Sequence, residues 1–244
     1  MSEYDPSTYG DRVADMYDVW YPGGNPAPMV DRLEALAGDG PVLELGMGTG
    51  RIALPLAATG VPVHGIDASS AMVEKLRAKP GGASIPVTIS DFTEFDLEDR
   101  FSLVFVVFNT FFGILDQEDQ VRGFQSVAGH LAPGGRFLLE CFVPDLGRFD
   151  RGQRLSVAAI DDDAIRIEAS MYDPVAQRVT AQVVCMTESG SRFYPLKVRY
   201  CWPSELDLMA RLAGLELEHR WGGWNEEPFT AASGQHVTVY RKPG

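Results

Sequence analysis

Two kinds of hydrophobic pattern divide this sequence. In residues 42–142, short apolar runs alternate with segments that have helical periodicity. Such runs are typical of buried parallel strands, and the periodic segments are typical of helices that pack on them. Residues 155–202 show no convincing helical pattern and instead contain about four strand-like runs separated by turn sequences. The first region therefore predicts an α/β sheet and the second an antiparallel meander.

The first region predicts a parallel sheet with helices on both faces and right-handed crossovers. Ser69 or Ser70 is expected to cap the second helix, and Pro133-Gly134-Gly135 is expected to stop the third. The predicted strands are 42–46, 61–67, 87–90, 101–109 and 136–142, and the predicted helices are 51–58, 70–78 and 117–131.

The second region begins with four predicted strands. A helix and a closing pair of strands, which rejoin the α/β sheet, are predicted after them. Turn sequences rich in Asp, Pro, Ser and Gly separate the strands. A helix is predicted to follow, with Pro at its first turn and Gly214 at its end. The predicted strands are 155–160, 164–172, 178–187, 192–202, 215–221 and 236–241, and the helix is 203–213.

Composition excludes several classes of protein. The chain has 244 residues, of which 45% are hydrophobic, and its formal charge is −13. Such an acidic chain is poorly suited to binding a nucleic-acid backbone. The three cysteines, Cys141, Cys185 and Cys201, form no CxxC pair. We therefore expect reduced cysteines and no metal site in a cytoplasmic protein, and no apolar run is long enough to predict a membrane span.

The most informative motif is the loop in residues 41–51. An apolar run ends in Gly46, Gly48 and Gly50, and a predicted helix follows. Glycine permits positive φ and lets a ligand approach the backbone. Glu44 places a carboxylate beside this loop, which disfavours a pyrophosphate and favours an ammonium or sulfonium group. The third glycine also comes one position too early for the NAD fingerprint, so the loop favours S-adenosylmethionine over NAD.

Polar residues follow three further strands at the edge where ligands bind in open parallel sheets. Asp67 is placed to accept hydrogen bonds from both ribose hydroxyls of an adenosine. Asp91 is placed to accept the adenine amino group, with the Phe92 N–H near a ring nitrogen. Asn109 and Thr110 close the fourth strand, where they would face the methyl donor and its acceptor or simply form a turn.

Taken in order, these motifs resemble those of class I S-adenosylmethionine-dependent methyltransferases. The resemblance covers roughly residues 4–142, and the later Gly-x-Trp…Pro-Phe loop and the meander resemble the small-molecule branch that includes amino-sugar and glycine-type N-methyltransferases. It implies a Rossmann-like, doubly wound, seven-stranded sheet with an antiparallel last strand. It also implies S-adenosylmethionine as the cofactor, bound by Tyr9, Tyr17, Glu44, Gly46, Gly48, Asp67, Ala68, Met72, Asp91, Phe92 and Asn109.

The resemblance also divides the chain. Residues 1–38 would form a helical lid, and residues 39–150 with 203–244 the cofactor-binding domain. Residues 151–202 would cover the substrate and provide an edge for a homodimer. The aromatic residues before the first strand suit such a lid, although they would equally suit a helix packed on the core.

The acceptor site is less well defined. An amine acceptor needs only to be neutral, whereas a hydroxyl usually needs a general base. Of the four histidines, His236 begins the predicted antiparallel strand at the active-site edge and is the best-placed base. Arg199 would hold an acidic group of the substrate. The predicted acceptor pocket comprises Trp20, Tyr21, Thr110, Phe111, Phe112, Arg199 and Trp224.

The sequence thus predicts an enzyme that transfers a methyl group to nitrogen or oxygen of a small metabolite. Two alternatives stay open: a protein of the same fold that binds S-adenosylmethionine without catalysis, and an NAD(P)-dependent oxidoreductase. No nucleic-acid or membrane partner is expected.

Overall fold

A computed structural model describes residues 4–244. The first three residues of the predicted lid lie outside this range. Between residues 4 and 244, no helix combines the length and the apolar character needed to cross a bilayer.

The predicted fold is confirmed: a seven-stranded sheet forms the centre of the molecule. Its strand order is β10-β11-β5-β4-β1-β2-β3, with β1 to β5 parallel and β11 antiparallel to both β5 and β10. Strand β1 is buried along its whole length, as its unbroken Val-Leu-Glu-Leu sequence predicts for a central strand. The strands are β1 (Val42–Leu45), β2 (Val63–Asp67), β3 (Val87–Ile89), β4 (Phe101–Val106), β5 (Leu131–Phe142), β10 (Glu216–Trp221) and β11 (Gln235–Arg241).

Six α-helices accompany the sheet between residues 4 and 244, and a side chain caps two of them, Ser69 at α4 and Asp116 at α5. Ser69 Oγ accepts a hydrogen bond from the Met72 N–H, so Ser69 rather than Ser70 is the cap of α4. Helix α5 ends at His130, and β5 starts directly at Leu131, five residues earlier than predicted. The helices are α1 (Thr8–Trp20), α2 (Ala27–Ala37), α3 (Ala53–Ala58), α4 (Ser70–Arg77), α5 (Gln117–His130) and α6 (Pro203–Leu212).

The predicted meander is a separate four-stranded antiparallel sheet in the order β6-β7-β8-β9. One face of it looks toward the seven-stranded sheet and α1: Val179 packs on the main core, and Tyr194 packs on α1. The opposite face carries exposed apolar side chains such as Leu155 and Phe193. The strands are β6 (Gln153–Ile160), β7 (Ala164–Asp173), β8 (Arg178–Thr187) and β9 (Gly190–Arg199).

Candidate functional site

A cavity of about 780 Å³ lies at the carboxyl ends of the parallel strands. Its floor comprises the loops after β1, β2, β3, β4 and β5, and its roof comprises α1 and the inner face of the four-stranded sheet. Ligands bind at this edge in open α/β sheets, and the volume suits a site that holds two small molecules. Ten of the eleven residues predicted to bind the cofactor line this cavity, and Glu44 is the exception. We call the part of the cavity that these ten residues line the cofactor half.

The glycine loop has a left-handed backbone conformation where it turns from β1 toward α3. Gly46 and Gly48 have φ of 69° and 58°, and both line the cavity. A Cβ on Gly46 would lie 2.4 Å from Thr110 Cγ2. Two separate reasons therefore require glycine at position 46: its positive φ and the lack of space for a Cβ.

Glu44 lies beneath the glycine loop and does not line the cavity. Its side chain is 3% exposed, and its Oε2 atom has no hydrogen-bond partner among residues 4–244. Burial, followed by the nearby Asp67 carboxylate, raises the pKa of Glu44 well above its usual value, whereas Arg51 opposes this shift. The contact between Glu44 and the methionine portion of the cofactor stays a prediction, and Glu44 is not among the residues that line the cavity.

Asp67 connects β2 to the glycine loop. Its Oδ2 accepts a hydrogen bond from the Gly48 N–H at 2.6 Å, and its Oδ1 accepts one from the Ser69 N–H at 2.8 Å. Burial raises the pKa of Asp67, and the two backbone donors oppose that shift. Each oxygen keeps a free lone pair, and the carboxylate lines the cavity beside Ala68 and Met72.

Asp91 and Phe92 line the cavity after β3, as predicted. Asp91 Oδ1 accepts a hydrogen bond from the Thr93 N–H at 2.6 Å, which fixes the orientation of the carboxylate. The structure thus brings together two carboxylates, Asp67 and Asp91, at the ends of adjacent strands. That arrangement fits a ribose and an adenine bound side by side.

Phe108 and Asn109 form a strained turn after β4. Both have positive φ, 57° and 64°, which is uncommon for residues other than glycine. Three hydrogen bonds to β5 hold this turn: Phe108 N–H donates to Glu140 Oε2, Asn109 N–H donates to the Glu140 carbonyl, and Asn109 Oδ1 accepts from the Phe142 N–H. The Arg51 guanidinium lies 3.5 Å from the Phe108 ring centroid. Asn109 and Thr110 both line the cavity.

The aromatic N-terminal segment contributes a roof, as predicted. Tyr9, Tyr17 and Tyr21 line the cavity. Trp20 does not: its ring packs edge-on against Tyr194, with centroids 4.5 Å apart. Two tyrosines of α1 and Tyr21 just after it therefore face the cavity, while Trp20 packs on the four-stranded sheet. That this segment closes over a ligand stays a prediction.

Three aspartates on one face of α1 connect it to the cofactor half. Asp11 Oδ1 accepts a hydrogen bond from Ser69 Oγ at 2.6 Å, and Asp18 accepts one from Thr49 Oγ1 at 2.6 Å. Asp18 also pairs with Lys79 at 2.7 Å, and the exposed Asp15 pairs with Lys75 at 2.7 Å. We call Asp11, Asp15 and Asp18 the lid aspartates.

Five of the predicted pocket residues lie elsewhere. Phe111 and Phe112 are buried in the main core, where Phe111 packs edge-on against Phe124. Arg199 is buried, pairs with Glu205 at 2.8 Å and donates to Gln120, so it does not face a substrate. Phe111 and Phe112 lie in a short 3₁₀ helix (Thr110–Gly113) that packs both rings into the core, and Arg199 ends β9 beside Glu205; periodicity alone resolves neither arrangement.

His236 and Trp224 also lie outside the cavity wall. The His236 ring is 0% exposed, its Nδ1 lies 2.8 Å from Thr238 Oγ1, and Phe229 packs against it. Burial lowers the pKa of His236 to about 4. The position expected for a base is occupied instead by Gln235, which does line the cavity. Trp224 lies behind Glu140 and donates its Nε1–H to Glu140 Oε1 at 2.9 Å.

Sequence reasoning missed several cavity residues. Arg51 directly follows the glycine loop, and this position beside the predicted cofactor site indicates that its side chain could line the cavity. Glu140 is the one acidic residue in the apolar run Phe-Leu-Leu-Glu-Cys-Phe of β5, and a lone carboxylate in such a run indicates a functional residue. Glu168 belongs to a meander whose inner face could not be assigned without its register. All three line the cavity, as do the apolar residues Val179, Ala181, Leu196 and Val198 of the four-stranded sheet.

S-adenosylmethionine fits this site. Asp67 and Asp91 are oriented to accept hydrogen bonds from an adenosine, and Arg51 supplies a cation for a carboxylate. The buried Glu44 Oε2 has no hydrogen-bond partner among residues 4–244 and leaves an unused acceptor beneath the glycine loop. The cradle at Gly46 and Gly48 allows the ligand to approach the backbone.

Comparisons with known proteins point in the same direction. Residues 42–135 match the model of a methyltransferase domain. The chain is 41% identical to the CcbJ methyltransferase from Streptomyces caelestis, with 99% of this chain and 100% of that one covered and a TM-score of 0.92. It is 28% identical to the cypemycin N-terminal methyltransferase of a Streptomyces species, covering 98% of this chain and 99% of the relative.

A third comparison concerns the fold alone. The SAM-bound CalS10, an amino pentose methyltransferase from Micromonospora echinaspora, is 22% identical, with a TM-score of 0.69 and coverage of 99% of both chains.

Proposed function

We propose that this chain, which belongs to the class I S-adenosylmethionine-dependent methyltransferases, methylates a nitrogen atom of a small-molecule amine. Its cofactor is S-adenosylmethionine, and its family acts on small molecules. The proposal concerns the acceptor atom and the residues that hold the two substrates.

The observation that carries the choice of nitrogen is the chemistry of the cavity wall. None of the four histidines lines the cavity, whereas the carboxylates Glu140 and Glu168 do. Transfer to a hydroxyl usually needs a general base, but a neutral amine already has a nucleophilic lone pair. A wall rich in carboxylates and without histidine therefore favours an amine. The 28% identical relative is by its name an N-terminal methyltransferase, which supports the same choice.

The residues of this chain would act mainly by binding and alignment. When bound, S-adenosylmethionine supplies a methyl group on a positively charged sulfur, which a nucleophile displaces in line. Asp67 and Asp91 would hold the adenosine, and Arg51 the methionine carboxylate. Helix α1 and the four-stranded sheet would exclude water and press the acceptor toward the cofactor, so that the gain comes from proximity and orientation.

A transfer experiment with isotopically labelled methyl tests the acceptor atom. The protein is incubated with methyl-labelled S-adenosylmethionine and a panel of amines paired with alcohols of the same skeleton, and products are identified by mass spectrometry. We expect label on nitrogen only, and none with Asp67→Asn protein. Label on oxygen alone would overturn the proposal. Binding of S-adenosylhomocysteine without transfer to any member of a broad panel would support the non-catalytic alternative.

We also propose that two copies of the chain associate through the outer face of the four-stranded sheet. Val157, Ile167, Val184 and Phe193 are register partners across all four strands and form one uncharged row. Val157 and Phe193 are each 61% exposed, and Leu155 is 71% exposed. On a chain with a charge of −13, this row lets a second copy approach with little repulsion. A sheet of one eight-residue and three ten-residue strands presents roughly 600 Å², near the area of a small specific interface.

A further inference from the structure

We infer that Glu140 is the residue that binds the acceptor as an ammonium ion, an inference that rests on the proposed transfer to nitrogen. Glu140 lies near the carboxyl end of β5, beside the Phe108–Asn109 turn, and lines the cavity. It therefore lies at the strand edge where substrates bind in such sheets, next to Asn109 and Thr110.

The hydrogen bonds of Glu140 orient its carboxylate and come from two donors on different segments. Oε2 accepts from the Phe108 N–H and Oε1 accepts from the Trp224 Nε1–H, both at 2.9 Å. Both donors are neutral, and Glu140 forms no ion pair with any residue from 4 to 244. An ionised carboxylate has about four acceptor positions, so about two stay free for a ligand. A fixed carboxylate without a protein cation is a suitable partner for a cationic group of the substrate.

Other acidic residues of the cavity wall are less suited to this role. Asp67 and Asp91 are held in the cofactor half by backbone donors. Asp119 pairs with Arg122 within α5, and the exposed Asp5 accepts hydrogen bonds from Ser7 before α1. Glu168 lies on β7 in the roof, away from the strand ends of the seven-stranded sheet. Glu140 is the carboxylate that combines fixed orientation, an uncompensated charge and a place at the strand edge.

The surroundings define the chemical class of the acceptor. Val179, Ala181, Leu196 and Val198 form an apolar wall above the acceptor half of the cavity. A carboxylate facing an apolar wall recognises an aliphatic amine that is protonated in solution. Before transfer the ammonium must lose one proton, which passes to water or to the carboxylate. The nitrogen lone pair then forms the new N–C bond as the S–C bond breaks, and the sulfur keeps the bonding electrons.

Trp224 is a positioning residue for Glu140. It contacts no part of the cavity itself, but its indole N–H fixes one oxygen of the carboxylate. Substituting phenylalanine would keep an aromatic ring in the β10–β11 loop and remove only the donor. This variant therefore tests orientation of Glu140 separately from its charge.

The binding of two simple probes tests the inference without turnover. Pentylamine, protonated at pH 7, and pentan-1-ol are titrated into protein saturated with S-adenosylhomocysteine, and binding is followed by nuclear magnetic resonance. Since hydrogen bonds to charged groups contribute about 1.5–3 kcal/mol, we expect a roughly tenfold or greater preference for the amine. Glu140→Gln should reduce this preference to within about twofold, while Glu168→Gln, which removes the same charge from the roof, should retain most of it.

The outcomes separate the alternatives. An equal loss in Glu140→Gln and Glu168→Gln would mean that the overall negative potential of the cavity attracts the amine, and it would overturn the assignment. Retention of the preference in Glu140→Gln would also overturn it. If Glu140→Gln does not fold, Trp224→Phe decides: a severalfold weaker preference supports the inference, and an unchanged preference contradicts it.

The same experiment distinguishes this inference from the proposed function. A preference for pentylamine that depends on Glu140, in a protein that labels only oxygen, would refute transfer to nitrogen and leave the cation site intact. Labelling of nitrogen in a protein whose preference does not depend on Glu140 would support the function and refute this residue's role.

Discussion

Oδ2 of Asp67 accepts a hydrogen bond of 2.6 Å from the N–H of Gly48. This bond joins the end of β2 to the glycine loop that follows β1, so the residue expected to hold the ribose also sets the shape of the loop beside the cofactor. The cofactor half of the cavity is thus a single hydrogen-bonded unit, and changes to the loop should alter both stability and binding.

Gly46→Ala should strongly destabilise the protein. A positive φ costs a residue with a Cβ about 1–2 kcal/mol, and the clash with Thr110 Cγ2 should add about 1–3 kcal/mol. Thr110→Ser removes that methyl group. The double variant Gly46→Ala/Thr110→Ser should therefore regain the free energy of unfolding that the clash had removed, but not the backbone cost. Chemical denaturation of the four proteins of this cycle measures the coupling.

Gly48→Ala is the matched control, because Gly48 has a similar φ but open space around its missing Cβ. Gly48→Ala should lower the free energy of unfolding only by the cost of the positive φ, about 1–2 kcal/mol. Adding Thr110→Ser should not restore any of this loss. Equal losses at the two positions would contradict the packing argument.

Removing two lid aspartates should speed the release of S-adenosylhomocysteine. Asp11 and Asp18 accept hydrogen bonds from Ser69 and Thr49, which belong to the cofactor half. At about 1 kcal/mol for each lost bond, Asp11→Ala/Asp18→Ala should raise the dissociation rate roughly tenfold or more, as measured by stopped-flow fluorescence. Asp15→Ala breaks only an exposed ion pair and should change the rate less than about threefold.

The order of elements could be predicted because each has a local signal. The apolar run of β4, the Ser69 cap and the turn sequences of the meander all act within a few residues of chain. The cavity residues Asp67 and Asp91 could be predicted for the same reason, since each lies at or just beyond the carboxyl end of its strand.

The acceptor half could not be predicted to the same degree, because it is assembled from distant segments. Whether Arg199 faces a substrate or Glu205 depends on how β9 packs against α6. The role of Trp224 depends on a contact with a residue 84 positions away. Periodicity carries no information on such pairings, and His236 shows the limit: its strand and direction were predicted, but its side chain points into the core.

The stability of the protein should depend on His236 between pH 6.5 and pH 4. Burial lowers the folded-state pKa of this residue to about 4. As the pH falls through this window, the unfolded chain binds a proton before the folded one, so the stabilisation present above pH 6.5 is lost. The difference in unfolding free energy between wild type and His236→Gln should therefore shrink by about 3 kcal/mol from pH 7 to pH 4. A constant difference across these pH values would show that the ring titrates normally.

Val157→Glu should dissociate the proposed dimer. It places a charge at the β6 end of the uncharged row on the outer face of the four-stranded sheet. Light scattering should report a dimer for wild type and a monomer for the variant, with unchanged thermal denaturation of the monomer. A wild-type protein that is monomeric at all concentrations would exclude this interface.

The most direct test of the central claim is calorimetric titration with S-adenosylhomocysteine. We expect one site per chain in the wild type and an affinity at least tenfold lower in Asp67→Asn, because a charged acceptor of the ribose hydroxyls is lost. Asp99→Asn, a change of the same kind at an exposed position outside the cavity, should bind like wild type. No binding by the wild type, or equal binding by the Asp67→Asn protein, would contradict the account.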